Sequence, residues 1–282
     1  MHFSKMHGLG NDFIIVNGFK EKVNLDPVGL AVLSKKICHR QLGIGADGLI
    51  LLLPSEIADA KFVIYNSDGS RAEMCGNGVR CAAIFAKEQG IIQKDSCTFE
   101  TLKGIVAPTI VDEKEGTVNV DMGIPAFAPM EIPAKFHEPQ VIDAPLIVGS
   151  KFYNITLVSM GNPHCVVFVD DLKNFPVGEV GPLIENHPVF PARINAEFVE
   201  PVSMGKIKMR VWERGCGETS ACGTGACAAA IAAHLNGFTT ADVEVELAYG
   251  SLFVKWKVPE HVFLLGPTAY ICEGEYPDLL HI

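Results

Sequence analysis

Short apolar runs rich in β-branched and aromatic residues alternate along this chain with two segments made largely of small residues. FIIV at 13–16, FVIY at 62–65, CVVFV at 165–169, KIKMRVW at 206–212 and DVEVEL at 242–247 read as strands bounded by turns. Each half offers one helix between its strands, opened by a Cys-Gly-x-Gly turn. In the second half, ACAAAIAAHL at 226–235 is apolar or small nearly all the way round, which predicts a helix buried on every side with a sheet around it. Pro125, Pro129 and Pro133 mark a crossover between the halves.

The second half repeats the first. MCGNGVRCAAIFAKEQG from Met74 lines up with ACGTGACAAAIAAHLNG from Ala221, an offset of 147 residues. Four more ordered pairs keep nearly that spacing: GNDFIIV with GNPHCVV, GIGAD with RINAE, the turns at Gly104 and Gly250, and DMGIPA with LLGPTA. An internal repeat of this length predicts a mixed α/β (α+β) protein of two pseudo-symmetric domains with a cleft between them. We expect residues 1–122 with the tail 268–282 to form one and 123–267 the other; 282 residues suit two domains of ordinary size.

Composition narrows the function. With 23 basic against 33 acidic residues the net charge is -10, so no broad basic face for nucleic acid or anionic lipid is expected. A small-molecule partner fits better. No apolar stretch reaches the roughly 18 residues of a membrane span, and MHFSKMHGLGNDF is too broken by polar residues for a signal peptide. We therefore expect a cytoplasmic protein whose nine cysteines are thiols. CxxC spacing, GxSxG and the GxxxxGK[ST] loop are all missing from the sequence, which argues against zinc, a serine nucleophile and a phosphate loop.

The chemistry then concentrates at the two helix starts. Gly76, Asn77 and Gly78 follow Cys75, and Gly223, Thr224 and Gly225 follow Cys222. Helix-terminal N–H groups offer an anion site, and the same position is expected to bring a thiol from about 8.5 toward neutrality. Deprotonating an amino acid's α-carbon puts charge into its carboxylate, which such donors stabilise. Inversion needs a base on one face and an acid on the other, roles that a thiolate and a thiol fill. A lone cysteine at a helix start is more often a buried hydrophobe; two at symmetric positions reverse those odds. Cys38, Cys81, Cys97, Cys165, Cys227 and Cys272 sit in apolar runs and receive no role.

KMHGLGNDF, YNSDGSRAEMCGNGVRC, SMGNPHCVV, ERGCGETSACGTGACAAA and LLGPTAY, in order from Lys5 to Tyr270, together resemble the signature segments of the diaminopimelate epimerase family. The resemblance implies two domains, each a β-barrel-like, mainly antiparallel sheet around a central helix. It implies epimerisation of LL-2,6-diaminopimelate to the meso form, a precursor of lysine and peptidoglycan, without metal or other cofactor. A homodimer follows from resemblance alone. By position, Cys75 and Cys222 match the acid/base pair, and His164 and Glu213 match residues that tune or orient the thiols. Gly76, Asn77, Gly223 and Thr224 match the backbone donors to the reacting carboxylate. Asn11, Asn66, Asn162, Asn195, Glu213 and Arg214 match the holders of the distal centre, a role their chemistry suits.

Two positions depart from the family pattern. Gly48 stands where some members carry Gln, and Cys216 where many carry a small residue. Two rival readings are a proline racemase-type two-thiol isomerase, whose motif usually places His at the position of Asn77, and a non-catalytic amino-acid-binding module, which has little reason to keep both thiols.

Overall fold

Alternation along the strands sets the layers. The computed structural model of the chain describes residues 1–21, 23 and 26–277. It divides into two units, 1–120 with 266–282 and 121–265; residues 278–282 of the expected tail lie outside the described residues.

In the first unit β1 (His2–Gly8) and β2 (Asn11–Asn17) form a hairpin, followed by α1 (Pro27–Ile37), β3 (Gly48–Leu53), β4 (Ala60–Asn66) and β5 (Arg71–Ala72). Then come α2 (Gly76–Glu88), β6 (Phe99–Thr101) and β7 (Gly104–Val106), and after them β8 (Thr109–Asp112) and β9 (Thr117–Gly123), which pair with each other outside this unit's sheet, β9 running past residue 120. Two of the sheet's steps are parallel, β2 with β3 and β4 with β6. Each parallel step needs a crossover, and these crossovers carry α1 and α2. Ile14, Val16, Leu49, Leu51, Val63 and Tyr65 turn one face of the sheet toward Leu30, Leu33 and Ile37 of α1. The alternate residues Phe13, Ile15, Ile50, Phe62 and Ile64 are equally buried and belong to the opposite face, which α2 covers. All of α2 from Gly76 to Ala86 is buried.

The second unit repeats this order with β10 (Ala144–Val148), β11 (Lys151–Ser159), β12 (Pro163–Phe168), α3 (Val177–Glu185), β13 (Asn195–Ser203) and β14 (Lys206–Glu213). It continues with β15 (Gly217–Thr219), α4 (Gly223–Leu235), β16 (Asp242–Leu247), β17 (Gly250–Trp256) and β18 (Val262–Gly266). The parallel steps are again β12 with β13 and β14 with β16, and α4 is buried from Ala226 to Ala233. The last strand, β19 (Ala269–Glu275), pairs antiparallel with β1. The mixed α+β architecture expected from the sequence, two repeated units each holding a buried helix, is the one observed.

One helix per half was expected, and among the described residues each unit has two α-helices. The signals for α1 are ordinary: Asp26 caps it through Gly29 N, Pro27 opens it, and Lys35 and Lys36 close it. Glycine and proline conceal α3, with Gly178, Gly181 and an interior Pro182. Gly181 is there for contact, since a Cβ would stand 2.6 Å from Trp212 Cγ.

Candidate active site

In the first unit the turn after β5 sets Cys75 in an extended conformation (φ -143°, ψ 115°) as the N-cap of α2. The first helical bond runs from Val79 N to Cys75 O, so the amides of Gly76 and Asn77 precede the helical ladder. Cys75 Sγ lies 3.9 Å from Asn11 Oδ1, and Asn77 Nδ2 donates to the same oxygen at 3.0 Å. The Asn11 amide nitrogen donates to Asp47 Oδ2 at 2.8 Å. Behind these, buried Asp12 takes Lys5 Nζ at 3.0 Å and Arg40 Nη2 at 2.9 Å. Burial alone would raise the Asp12 carboxyl, but hydrogen bonds from Arg40 and Lys5 hold it below the usual carboxylate value. Asn77 Oδ1 accepts from Nη2 of Arg80 at 3.0 Å, a guanidinium shut off from solvent. Asn66 stands apart in its bonding: it is exposed and gives its amide to Ser70 Oγ at 2.9 Å.

The second unit builds a denser cluster. Cys222 is the N-cap of α4 (φ -125°, ψ 115°), and its sulfur accepts from Gly225 N at 3.4 Å and lies 3.4 Å from Thr224 Oγ1. Asn162 Nδ2 reaches Thr224 Oγ1 at 3.2 Å, and Asn162 Oδ1 lies 3.0 Å from His164 Nε2. His164 Nδ1 lies 2.7 Å from Glu197 Oε1, with both side chains fully buried. Glu213 accepts from the hydroxyl of Thr219, and its carboxyl and the Cys222 thiol act on each other's ionisation. Asn195 is committed to the main chain, donating to Pro163 O at 2.9 Å and accepting from Arg214 N at 2.8 Å. Glu185 holds the turn beyond Arg214 by accepting from Gly215 N at 2.8 Å and Arg193 Nη1 at 3.0 Å. Arg214 itself donates to Ala192 O at 3.1 Å. A cavity of about 400 Å³ in this unit adjoins the cluster only through Thr219.

The expectation that a helix start lowers its thiol fails for Cys222. Burial, and then the charges of Glu213 and Glu197, push this thiol well above its ordinary value, and the Thr224 hydroxyl and Gly225 N–H offset only part of that. Burial likewise raises the Glu213 carboxyl against the opposing effects of Thr219 and Cys222. Desolvation outweighs the helix terminus because one amide bond does not replace a hydration shell. Among the cysteines given no role, Cys38 is pushed up to about 11 and Cys81 and Cys97 to about 12, chiefly by burial. Cys272 differs from expectation, for it lies exposed on β19. Cys216 is exposed too.

Sequence reasoning missed Asp47 and Glu197, although both were in view. They close the aligned segments GIGAD and RINAE, and a carboxylate at the same place in two repeats is a signal. Gly48 has a steric reason: it pairs with Asn66 across β3 and β4, and a Cβ there would stand 2.9 Å from Tyr65 O. Among the described residues no group of three His, Cys, Asp or Glu is placed to hold a metal ion, and no helix is long and apolar enough to cross a membrane.

Comparisons with known proteins agree on one family. The family model described as diaminopimelate epimerase matches residues 3–128 and 156–271. A diaminopimelate epimerase of Pelotomaculum thermopropionicum is 53% identical over 98% of this chain and 99% of its own. That of Moorella thermoacetica is 49% identical over the same shares. Among solved structures, a phenazine biosynthesis protein of the PhzF family from Bacillus anthracis superposes with a TM-score of 0.70 at 20% identity, covering 98% of each chain. A probable proline racemase from Agrobacterium radiobacter K84 gives 0.70 at 19% identity over 99% of this chain and 94% of that one; both likenesses speak to the fold.

Proposed function

This chain belongs to the diaminopimelate epimerase family and is an amino-acid epimerase, and from that premise we propose how its residues carry out the reaction. The substrate is LL-2,6-diaminopimelate and the product the meso form. Cys75 and Cys222 act on opposite faces of one α-carbon: one sulfur, as thiolate, takes the α-proton, the other, as thiol, delivers a proton to the opposite face, and the reverse reaction exchanges the roles. Amides of Gly76, Asn77, Gly223 and Thr224 receive the carboxylate into which charge is delocalised. Asn11, Asn66, Asn162, Asn195, Glu213 and Arg214 hold the distal centre, and Glu213 with His164 sets the proton balance at the thiols. No cofactor takes part.

The observation that supports this most is the repetition of one local structure: Cys75 and Cys222 each cap the buried helix of their unit in the same extended conformation. A thiol without a role in catalysis has little reason to recur there. The raised Cys222 thiol suits the acid role in the resting protein, with the Glu213 charge among the causes that keep it protonated. We also infer a cytoplasmic enzyme, where thiols stay reduced, and a homodimer, which light scattering on the purified protein tests. The catalytic reading is tested by incubating wild type, Cys75→Ala and Cys222→Ala with LL-diaminopimelate and separating the stereoisomers. Wild type forms the meso isomer and each variant loses about a hundred- to ten-thousandfold in rate, the usual range for removing an acid/base group. Either variant retaining near wild-type turnover contradicts the assignment.

A further inference from the structure

Glu197 is the most deeply buried carboxylate of the second unit, at 0% exposure, and it lies in an otherwise apolar stretch of β13. Its Oε1 takes His164 Nδ1 at 2.7 Å, a length typical of charge-assisted bonds. Its Oε2 has no hydrogen-bond partner among the described residues. A buried carboxylate with one partner is costly unless that partner is a cation.

We propose that Glu197 is a positioning residue for epimerisation: it holds His164 doubly protonated and thereby fixes the direction of a hydrogen-bond chain that ends on the Cys222 sulfur. The inference rests on the reading of Cys222 as an acid/base group. With Glu197 ionised, the chain has two self-consistent directions. With His164 charged, Nδ1–H donates to Glu197 and Nε2–H donates to Asn162 Oδ1, which turns the Asn162 NH2 toward Thr224 Oγ1. The Thr224 hydroxyl then accepts from Asn162 and points its own proton at Cys222 Sγ, 3.4 Å away. With His164 neutral at Nε2, the Asn162 amide must present its NH2 to the ring. Its oxygen then accepts from Thr224, whose hydroxyl no longer donates to sulfur.

Only the first direction gives a Cys222 thiolate two donors, the Thr224 hydroxyl and Gly225 N–H. The thiolate needs them, since Glu213 and Glu197 oppose its charge. The titratable groups that act with His164 are Glu197 from β13, which bonds its ring, and Glu213 from β14, whose ionisation the charge of His164 eases; Cys222 at the start of α4 is reached through Asn162 and Thr224. Glu197 is thus set to counter the imidazolium, and His164 to orient the chain.

Two measurements test this without relying on turnover. In ¹⁵N-labelled wild-type protein, both ring nitrogens of His164 should carry protons at pH 8, and in Glu197→Gln the ring should be neutral. A single neutral tautomer in wild type overturns the proposal even if the variant fails to fold. The second measurement follows carboxymethylation of Cys222 in the Cys75→Ala background, read by peptide mass spectrometry. Thr224→Val should slow it about tenfold at pH 8 when Glu197 is present and less than about twofold in Glu197→Gln, a coupling that a double-mutant cycle reads. Equal slowing in both backgrounds overturns the proposal. Failure of the acid/base reading would instead appear as turnover surviving Cys222→Ala, a result separable from either of these.

Discussion

The Asn11 amide donates to Asp47 Oδ2 at 2.8 Å, and this bond leaves the Asn11 carbonyl oxygen facing Asn77 and Cys75. An amide has one donor end and one acceptor end, so fixing the donor end fixes the side presented to the thiol. Asp47→Ala should release that orientation and lower kcat about tenfold, the worth of one hydrogen bond to a charged acceptor. Steady-state rates on LL-diaminopimelate measure it; an unchanged kcat means that Asn11 is held by other contacts.

Cys222 predicts a pH dependence. Burial and the charges of Glu213 and Glu197 raise its thiol, so the protonated form prevails through neutrality and the thiolate fraction grows about tenfold per pH unit up to the raised value. Carboxymethylation of Cys222 in Cys75→Ala should therefore keep rising beyond pH 9. A plateau at pH 8 or below would show that donors outweigh desolvation at this helix start.

Asp12 governs acid stability in the first unit. Its carboxyl is held below the unfolded value of about 3.9 by Arg40 and Lys5 against the effect of burial. The contribution is intact above about pH 4 and falls away as pH drops toward the folded value. Asp12→Asn leaves largely buried Lys5 without its counter-charge, so urea unfolding at pH 7 should show a loss of about 3 kcal/mol. That difference should narrow below pH 4.

Gly225 tests packing at the helix start. A Cβ there would stand 2.9 Å from Glu197 Oε1 and 3.3 Å from Cys222 Sγ, closer than unstrained atoms approach. Gly225→Ala should displace the carboxylate, the sulfur or both, lowering kcat at least about tenfold while costing only about 1–3 kcal/mol of stability. Thermal unfolding together with steady-state kinetics separates the two effects.

Much of this was legible in the sequence because a repeat carries its own control. The alignment of Cys75 with Cys222 exposed both helix starts, and the all-round apolar character of 226–235 gave the burial of α4. What escaped depended on distance in the chain. Glu197 reads as one acidic residue in a strand until β12 and β13 pair in parallel and bring His164 to it. The rise of the Cys222 thiol depends on Glu213, Glu197 and desolvation together, none of which a helix-start motif contains. Gly181 and Pro182 hid α3 because the contact with Trp212 that favours the glycine is tertiary.

On the proposed assignment, Arg214 holds the distal carboxylate and sets the specificity of the site. Lysine lacks the distal carboxylate, and a pocket built to bind that group leaves its donors unpaired without it. The kcat/KM on lysine should fall at least about a thousandfold below that on diaminopimelate. Comparable values would move the distal pocket elsewhere.

The central claim is that two thiols divide one inversion, and isotope exchange at low conversion tests it most directly. In heavy water, LL-diaminopimelate incubated with the enzyme and sampled before a tenth is converted should give meso product carrying deuterium at the inverted centre, while recovered substrate stays largely unlabelled. The proton taken by one sulfur is not the one delivered by the other. Early recovered substrate as heavily labelled as product, or product that keeps the original proton, would mean that one base serves both faces.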